Sequence, residues 1–212
     1  MKDHQLKQGA TASKGKPGFN RRDFLRGSGA AAAATAMATA PALLAAEGAG
    51  VKLLGPDASE ITLNVNGQDH KVTAEPRTTL LEVLRTQLDL TGAKPVSIDA
   101  SSGASTVIID NKPVSATTTL AVAAVGKKIR TVESLGGDKP DAVPVAFVHH
   151  DGMQCGFCTP GFVVAVRAFL DKNPKASEAE IRSGLNGNLC RCGTYANVVQ
   201  AALEVVKGGS HG

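Results

Sequence analysis

Aromatic residues are nearly missing from this chain. They make up 3% of it, with no tryptophan and a single tyrosine, Tyr195. A core must therefore rest on Val, Leu, Ile, Ala and six Phe. Cysteine is absent until position 155, and the four that follow form two close pairs in the last third of the chain. No strongly apolar run occurs. The mildest candidate, residues 28–44, is dominated by Ala and Thr and is too short for a stable membrane span. Basic patches interleaved with aromatics are also lacking, which argues against a nucleic-acid partner. There is no dinucleotide fingerprint or phosphate loop, and no nucleophile or acid–base constellation stands out. The net charge of +4 belongs partly to the beginning of the chain, where Lys2, Lys7, Lys14, Lys16, Arg21, Arg22 and Arg26 fall. The remainder is close to neutral.

What is present begins with a leader. Residues 1–20 are polar and rich in Lys and Gly, and Arg21-Arg22-Asp23-Phe24-Leu25-Arg26 follows them. The Ala-rich stretch comes next, with small residues around 42–49 as candidate cleavage positions. This order resembles a twin-arginine export signal, here assigned to residues 1–48. The competing reading is an Ala-rich tail with an accidental arginine pair; order, charge and hydropathy favour the signal. The resemblance implies export of a folded protein to the periplasm, with any cofactor inserted before transit. Membrane contact is expected only if the leader is retained.

The next segment reads as alternating strands with one helix. Ile61 to Val65 alternates apolar and polar residues, as a half-buried strand does. Asn66-Gly67 signals a type I′ hairpin turn, and a second strand is expected over residues 70–73. Residues 79–88 have the apolar spacing of an amphipathic helix, with Thr78 or Thr79 as N-cap. Strands are expected over residues 106–109 and 128–132, with a short helix over 119–125 between them. A hairpin, a helix and further strands in this order suit a β-grasp, ferredoxin-like domain over residues 51–136.

Residues 80–121 resemble the N-terminal domain of the iron–sulfur subunits of molybdenum hydroxylases, the relatives of xanthine dehydrogenase, aldehyde oxidoreductase and isoquinoline oxidoreductase. In that family the domain holds a plant-type [2Fe-2S] cluster through Cys-x4-Cys-x2-Cys and a later cysteine. Ser97, Ser102, Ser105 and Thr117 stand at the matching positions here. A hydroxyl stays protonated at neutral pH and is a hard ligand, whereas iron in these clusters is held by thiolate. Val96 and Ala100 replace common glycines, and Pro95 stiffens the loop. The loop is therefore expected to be cluster-free. An ordinary β-grasp module with no cluster history predicts the same empty loop.

The last segment, residues 141–208, reads as all-helical, with a short tail over 209–212. Its first motif is His150-Asp-Gly-Met-Gln154-Cys155-Gly156-Phe-Cys158-Thr-Pro-Gly161, followed by an apolar helix over residues 162–170. Ser177-Glu-Ala-Glu180 is a capping box. Asn188-Leu-Cys190-Arg191-Cys192-Gly193-Thr-Tyr195 then precedes a last helix to about residue 207. Thr159 and Thr194 are expected as N-caps, so each cysteine pair precedes a helix N-terminus that favours negative charge. Gly156 and Gly193 leave room for backbone to wrap the sulfurs. Taken alone, the four cysteines are compatible with zinc, with two disulfides, with a redox dithiol or with an iron–sulfur cluster. His149 and His150 read as structural or surface residues rather than ligands.

The cysteine motifs and their flanks match the helical domain of the same family. The resemblance implies an α+β chain: a β-grasp domain followed by an all-helical domain that binds one [2Fe-2S] cluster through Cys155, Cys158, Cys190 and Cys192. It places Gln154 and Cys192 at the pterin edge of a molybdopterin-type molybdenum cofactor in a large partner subunit. Arg191 reads equally as a residue that tunes the cluster or meets the partner, and as a solvated arginine. The implied function is electron relay in an exported molybdenum hydroxylase that oxidises an aldehyde or N-heterocycle, with a c-type cytochrome or flavin subunit as acceptor. The alternative is a structural or assembly subunit whose cluster is architectural and which completes the partner's cofactor pocket.

Overall fold

The computed structural model describes residues 55–208. The signal region expected over 1–48 and the tail over 209–212 lie outside the described residues. Strands β1 (Ser59–Val65) and β2 (Gln68–Ala74) form an antiparallel hairpin whose closing pair is Val65 with Gln68. Asn66 at φ 53 and Gly67 at φ 83 make the type I′ turn that Asn-Gly signals. Asn66 is also tied at both side-chain atoms to Thr131, donating to its Oγ1 at 2.9 Å and accepting from its N–H at 2.9 Å.

Helix α1 (Leu80–Thr86) begins at Thr79, whose hydroxyl accepts from the Glu82 N–H, and buries Leu80, Leu81, Val83 and Leu84. Strands β3 (Thr106–Ile109) and β4 (Lys112–Ser115) pair antiparallel, and β5 (Lys128–Arg130) fills the centre. The five strands run in the order β2-β1-β5-β3-β4, with β1 and β5 parallel. The expected fifth strand stops at Arg130 because Val132 opens a 3₁₀ turn, Val132–Leu135; the expected short helix is a 3₁₀ turn at Ala121–Ala124. Edge strand β2 is covered at Thr73, whose N–H and C=O both bond the Gln87 side chain, at 3.0 and 2.8 Å. That pairing occupies edge groups that would otherwise recruit another strand.

Four helices follow: α2 (Ala142–His149), α3 (Thr159–Lys172), α4 (Glu178–Gly184) and α5 (Tyr195–Val206). Sequence periodicity gives no expectation of α2, because Val143, Val145, Phe147 and Val148 surround its axis and Pro144 argues against a helix. Asp141 caps it by accepting from the Val143 N–H, and Pro144 is tolerated in the first turn. The capping box at Ser177 and Glu180 forms as the sequence indicates.

Strand β3 explains how the halves join. Its alternate residues divide between two apolar clusters: Val107 and Ile109 pack with α1 and the hairpin, while Ile108 packs with the helices. A sheet covered on both faces needs a continuous apolar strand, and Thr-Val-Ile-Ile supplies one. Helix α3 approaches the loop before β3 closely. A Cβ added at Gly161 would lie 2.4 Å from the Gly103 carbonyl oxygen and 3.0 Å from the Ala104 Cα. Alanine is the better helix former by about 1 kcal/mol, but backbone atoms cannot swing aside. Gly161→Ala is therefore expected to destabilise the fold by about 1–3 kcal/mol in chemical unfolding, while Gly187→Ala, where the added Cβ meets nothing within 4 Å, serves as control.

Candidate metal centre

Both cysteine pairs sit where the chain turns into a helix. Cys158 is itself the N-cap of α3, with Thr159 the first helical residue and Pro160 directly after it. This corrects the expectation that Thr159 caps the helix: its hydroxyl is buried and has no hydrogen-bond partner. Thr194 does occupy the N-cap of α5, but its side chain makes no capping bond. Its hydroxyl instead donates to Cys190 Sγ at 3.2 Å. The turns rest on Gly156 at φ 80 and Gly193 at φ 84, a backbone region where any side chain is strained.

The four thiols act on one another's ionisation chiefly in two pairs, Cys155 with Cys192 and Cys158 with Cys190. Their environments differ. Cys155 and Cys192 are exposed, whereas Cys190 is buried. Burial pushes the Cys158 thiol up to about 12. At Cys190 burial also pushes upward, but the hydroxyl and N–H of Thr194, the Cys158 thiol and the Gly193 N–H outweigh it and bring the group to about 7. The Phe157 N–H, and then the Cys192 thiol, hold Cys155 below the ordinary thiol range. At Cys192 the Cys155 N–H acts downward, but the thiol bond to Cys155, burial and neighbouring sulfur charge together push the group up. Among the described residues no three His, Cys, Asp or Glu side chains gather as around a single ion.

A cavity of about 510 Å³ opens against Cys155, Cys158 and Cys190, with Ser102, Phe157 and Tyr195 among its other walls. Arg191 also lines it and is exposed, as is Gln154. His149 and His150 are engaged elsewhere: their ring nitrogens meet the two oxygens of Glu204 at 3.4 and 2.6 Å. That carboxylate anchors the end of α2 to α5.

The Ser/Thr loop lies directly beside the cysteines. Ser97 and Ser102 share a hydroxyl bond of 2.8 Å; Thr117 donates to Ser105 at 2.7 Å, and Ser105 also pairs with Ser115 at 2.9 Å. Ala100 holds φ 67, a conformation suited to glycine. The two loops are joined at backbone carbonyls: the Leu189 N–H donates to that of Ser102 at 3.0 Å, and the Asn188 side-chain Nδ2 donates to that of Gly103 at 2.9 Å. Tyr195 closes the turn by accepting from the Cys190 N–H at 2.8 Å, its ring held edge-on by Phe162. Sequence reasoning missed Asn188, Thr194 and Tyr195 as site residues, although the last two sit in the contiguous Cys-Gly-Thr-Tyr run.

Comparison with known proteins places this geometry. The profile of the [2Fe-2S] binding domain matches residues 131–203, a span that contains all four cysteines. The aldehyde oxidoreductase iron-sulfur-binding subunit of Escherichia coli is 37% identical over 90% of this chain and 89% of its own length. The nicotine 6-hydroxylase small subunit of Paenarthrobacter nicotinovorans is 38% identical over 70% of this chain and 90% of its own. This chain belongs to that family of oxidoreductase iron–sulfur subunits. The iron–sulfur subunit also shares its mixed α/β fold with a chain of quinoline 2-oxidoreductase from Pseudomonas putida, at TM-score 0.69 and 37% identity, covering 71% of this chain and 95% of that one. The profile of the twin-arginine translocation signal matches residues 18–38, which directs the subunit to the periplasm. No helix among the described residues is long and apolar enough to cross a membrane.

The backbone seam supports the cysteine turn. Asn188→Ala removes the buried bond to Gly103, whose carbonyl keeps Thr106 as donor, and is expected to cost about 0.5–1.5 kcal/mol of stability. Unfolding of the metal-free chain in denaturant measures this, and a change under about 0.3 kcal/mol would show that the seam bears no load.

Proposed function

We propose that this chain is the electron-transfer subunit of an exported molybdenum hydroxylase and holds one [2Fe-2S] cluster through Cys155, Cys158, Cys190 and Cys192. The observation that carries the reading is that Cys155, Cys158 and Cys190 line one cavity, with Cys192 acting on the Cys155 thiol. A binuclear centre asks for two thiolates per iron, and soft sulfur donors suit it. The chain's own groups fit such a centre. Gly156 and Gly193 turn the backbone around the sulfurs, the N-termini of α3 and α5 face an anionic group favourably, and Thr159 keeps an unused hydroxyl beside Cys158. A cluster held there supplies one-electron transfer. By the family resemblance, Gln154 and Cys192, both exposed, would meet the pterin edge of a molybdopterin-type cofactor in a large subunit. That subunit would oxidise an aldehyde or N-heterocycle, with water as the oxygen source.

Residues 51–136 are read as a β-grasp, ferredoxin-like domain without a cluster, and residues 141–208 as the helical cluster domain. The hydroxyls of Ser97, Ser102, Ser105 and Thr117 stand where thiolate ligands are expected and bond one another instead. Electrons then have no second relay within this chain. They pass directly to a docked acceptor, a c-type cytochrome or a flavin subunit.

Iron and acid-labile sulfide analysis of the purified complex, with electron paramagnetic resonance after reduction, tests this reading. About two irons per chain and one signal are expected. Four irons and two signals would overturn the cluster-free loop; no iron would overturn the whole assignment. Changing Ser97, Ser102, Ser105 and Thr117 together to Cys is expected to raise the content toward four irons. Slow reduction of the cluster by substrate in the loaded complex would favour the architectural role over the relay. Replacing Arg21 and Arg22 by Lys is expected to retain the subunit in the cytoplasm, read by cell fractionation.

A further inference from the structure

The end of the second cysteine motif contains a hydroxyl diverted from its usual task. Thr is favoured at a helix N-cap because its side chain accepts from the N–H of the second or third residue beyond it. Thr194 occupies that position at α5 but makes no such bond. Its hydroxyl lies 3.2 Å from Cys190 Sγ and donates to it. The geometry is held from several sides. Gly193 at φ 84 sets the turn, Tyr195 bonds the Cys190 N–H at 2.8 Å, and the Phe162 ring meets Tyr195 edge-on with centroids 6.1 Å apart. Cys190 is only 7% exposed, so water does not compete freely for its sulfur.

We infer that Thr194 is a positioning residue that raises the reduction potential of the cluster by donating its hydroxyl proton to the sulfur of Cys190. This rests on the four-cysteine assignment above. The physical reason is charge. Adding an electron makes the cluster and its thiolates more negative, and a donated hydrogen bond favours the more negative state. Hydrogen bonds to the sulfurs are among the factors that set the potential of such centres. Cys190 is the one buried thiol of the four, and a donor acts most strongly where solvent screens least. A higher potential draws electrons from the partner's cofactor into this chain, which matters where a single relay has no second cluster to pull them on.

The substitution Thr194→Val removes the hydroxyl and keeps the shape. Because that hydroxyl caps nothing, the helix is expected to survive. The measurement is a redox titration of the loaded complex, followed by the reduced-cluster signal. Thr194→Val is expected to lower the reduced-to-oxidised ratio at fixed ambient potential about tenfold, which is about 59 mV for a one-electron couple. Thr194→Ser should restore the original ratio to within about threefold, equivalent to roughly half that shift on a logarithmic scale. Thr194→Ala gives a second hydroxyl-free variant if Val disturbs the turn. An unchanged potential in a fully loaded Thr194→Val or Thr194→Ala complex would overturn the inference while leaving the cluster assignment intact. Failure of both hydroxyl-free variants to load iron, with Thr194→Ser loading normally, would overturn it in favour of a purely structural role. Absence of iron from the unaltered complex would remove the cluster assignment and this inference together.

Discussion

The carbonyl of Gly103 serves three donors at once: Asn188 Nδ2 at 2.9 Å, the Thr106 N–H at 3.2 Å and the Thr106 hydroxyl at 2.6 Å. Much of the described structure depends on that point. Thr106 opens β3, Asn188 opens the second cysteine motif, and Gly161 lets α3 press against the same backbone. Sheet, helix and cysteine turn therefore meet at one peptide group. The neighbouring Ser102 carbonyl receives the Leu189 N–H and fixes the residue before Cys190. A carbonyl offers two lone pairs, and a buried one left without donors is costly. This shared acceptor ties the placement of the sulfurs to the packing of the whole domain rather than to their own loop.

Sulfur and oxygen divide the two loops chemically. In the cysteine loops, backbone N–H groups and the Thr194 hydroxyl converge on sulfur, and at Cys190 they bring the thiol to about 7. In the loop at 97–105, Ser97, Ser102 and Ser105 present hydroxyls, which donate and accept without ionising, beside Asp99, whose carboxylate accepts from Ser101. That loop, with Ala100 at a positive φ that glycine would adopt without strain, carries a network of oxygen–oxygen hydrogen bonds. Pairing removes the cost that isolated buried hydroxyls would carry, as at Ser105, which is 3% exposed.

Much of the fold was legible because local signals were strong. Asn66-Gly67 specified its turn, Thr78-Thr79 narrowed the cap to two residues, of which Thr79 serves, and Ser177 with Glu180 specified its capping box. Helix α2 was hidden because its apolar residues surround the axis and Pro144 reads as a breaker unless its place in the first turn is known. The cap assignment at Thr159 failed, and at Thr194 the position held without the capping bond, for a different reason. Propensity records where a hydroxyl usually finds its partner, and a nearby sulfur or a closed pocket redirects it. The pairing of the cysteines was likewise beyond spacing alone, since it is fixed by how α3 and α5 pack and not by residues between the motifs.

The self-contained bonding of the hydroxyl loop bears on how the subunit matures. A loop that needs metal to close remains open, and exposed to proteases, whenever iron is scarce. Here the strand side of the molecule closes on oxygen–oxygen bonds that require nothing from the cell's iron supply. Under the one-cluster assignment proposed above, biogenesis is thereby reduced to one loading event at the helical end.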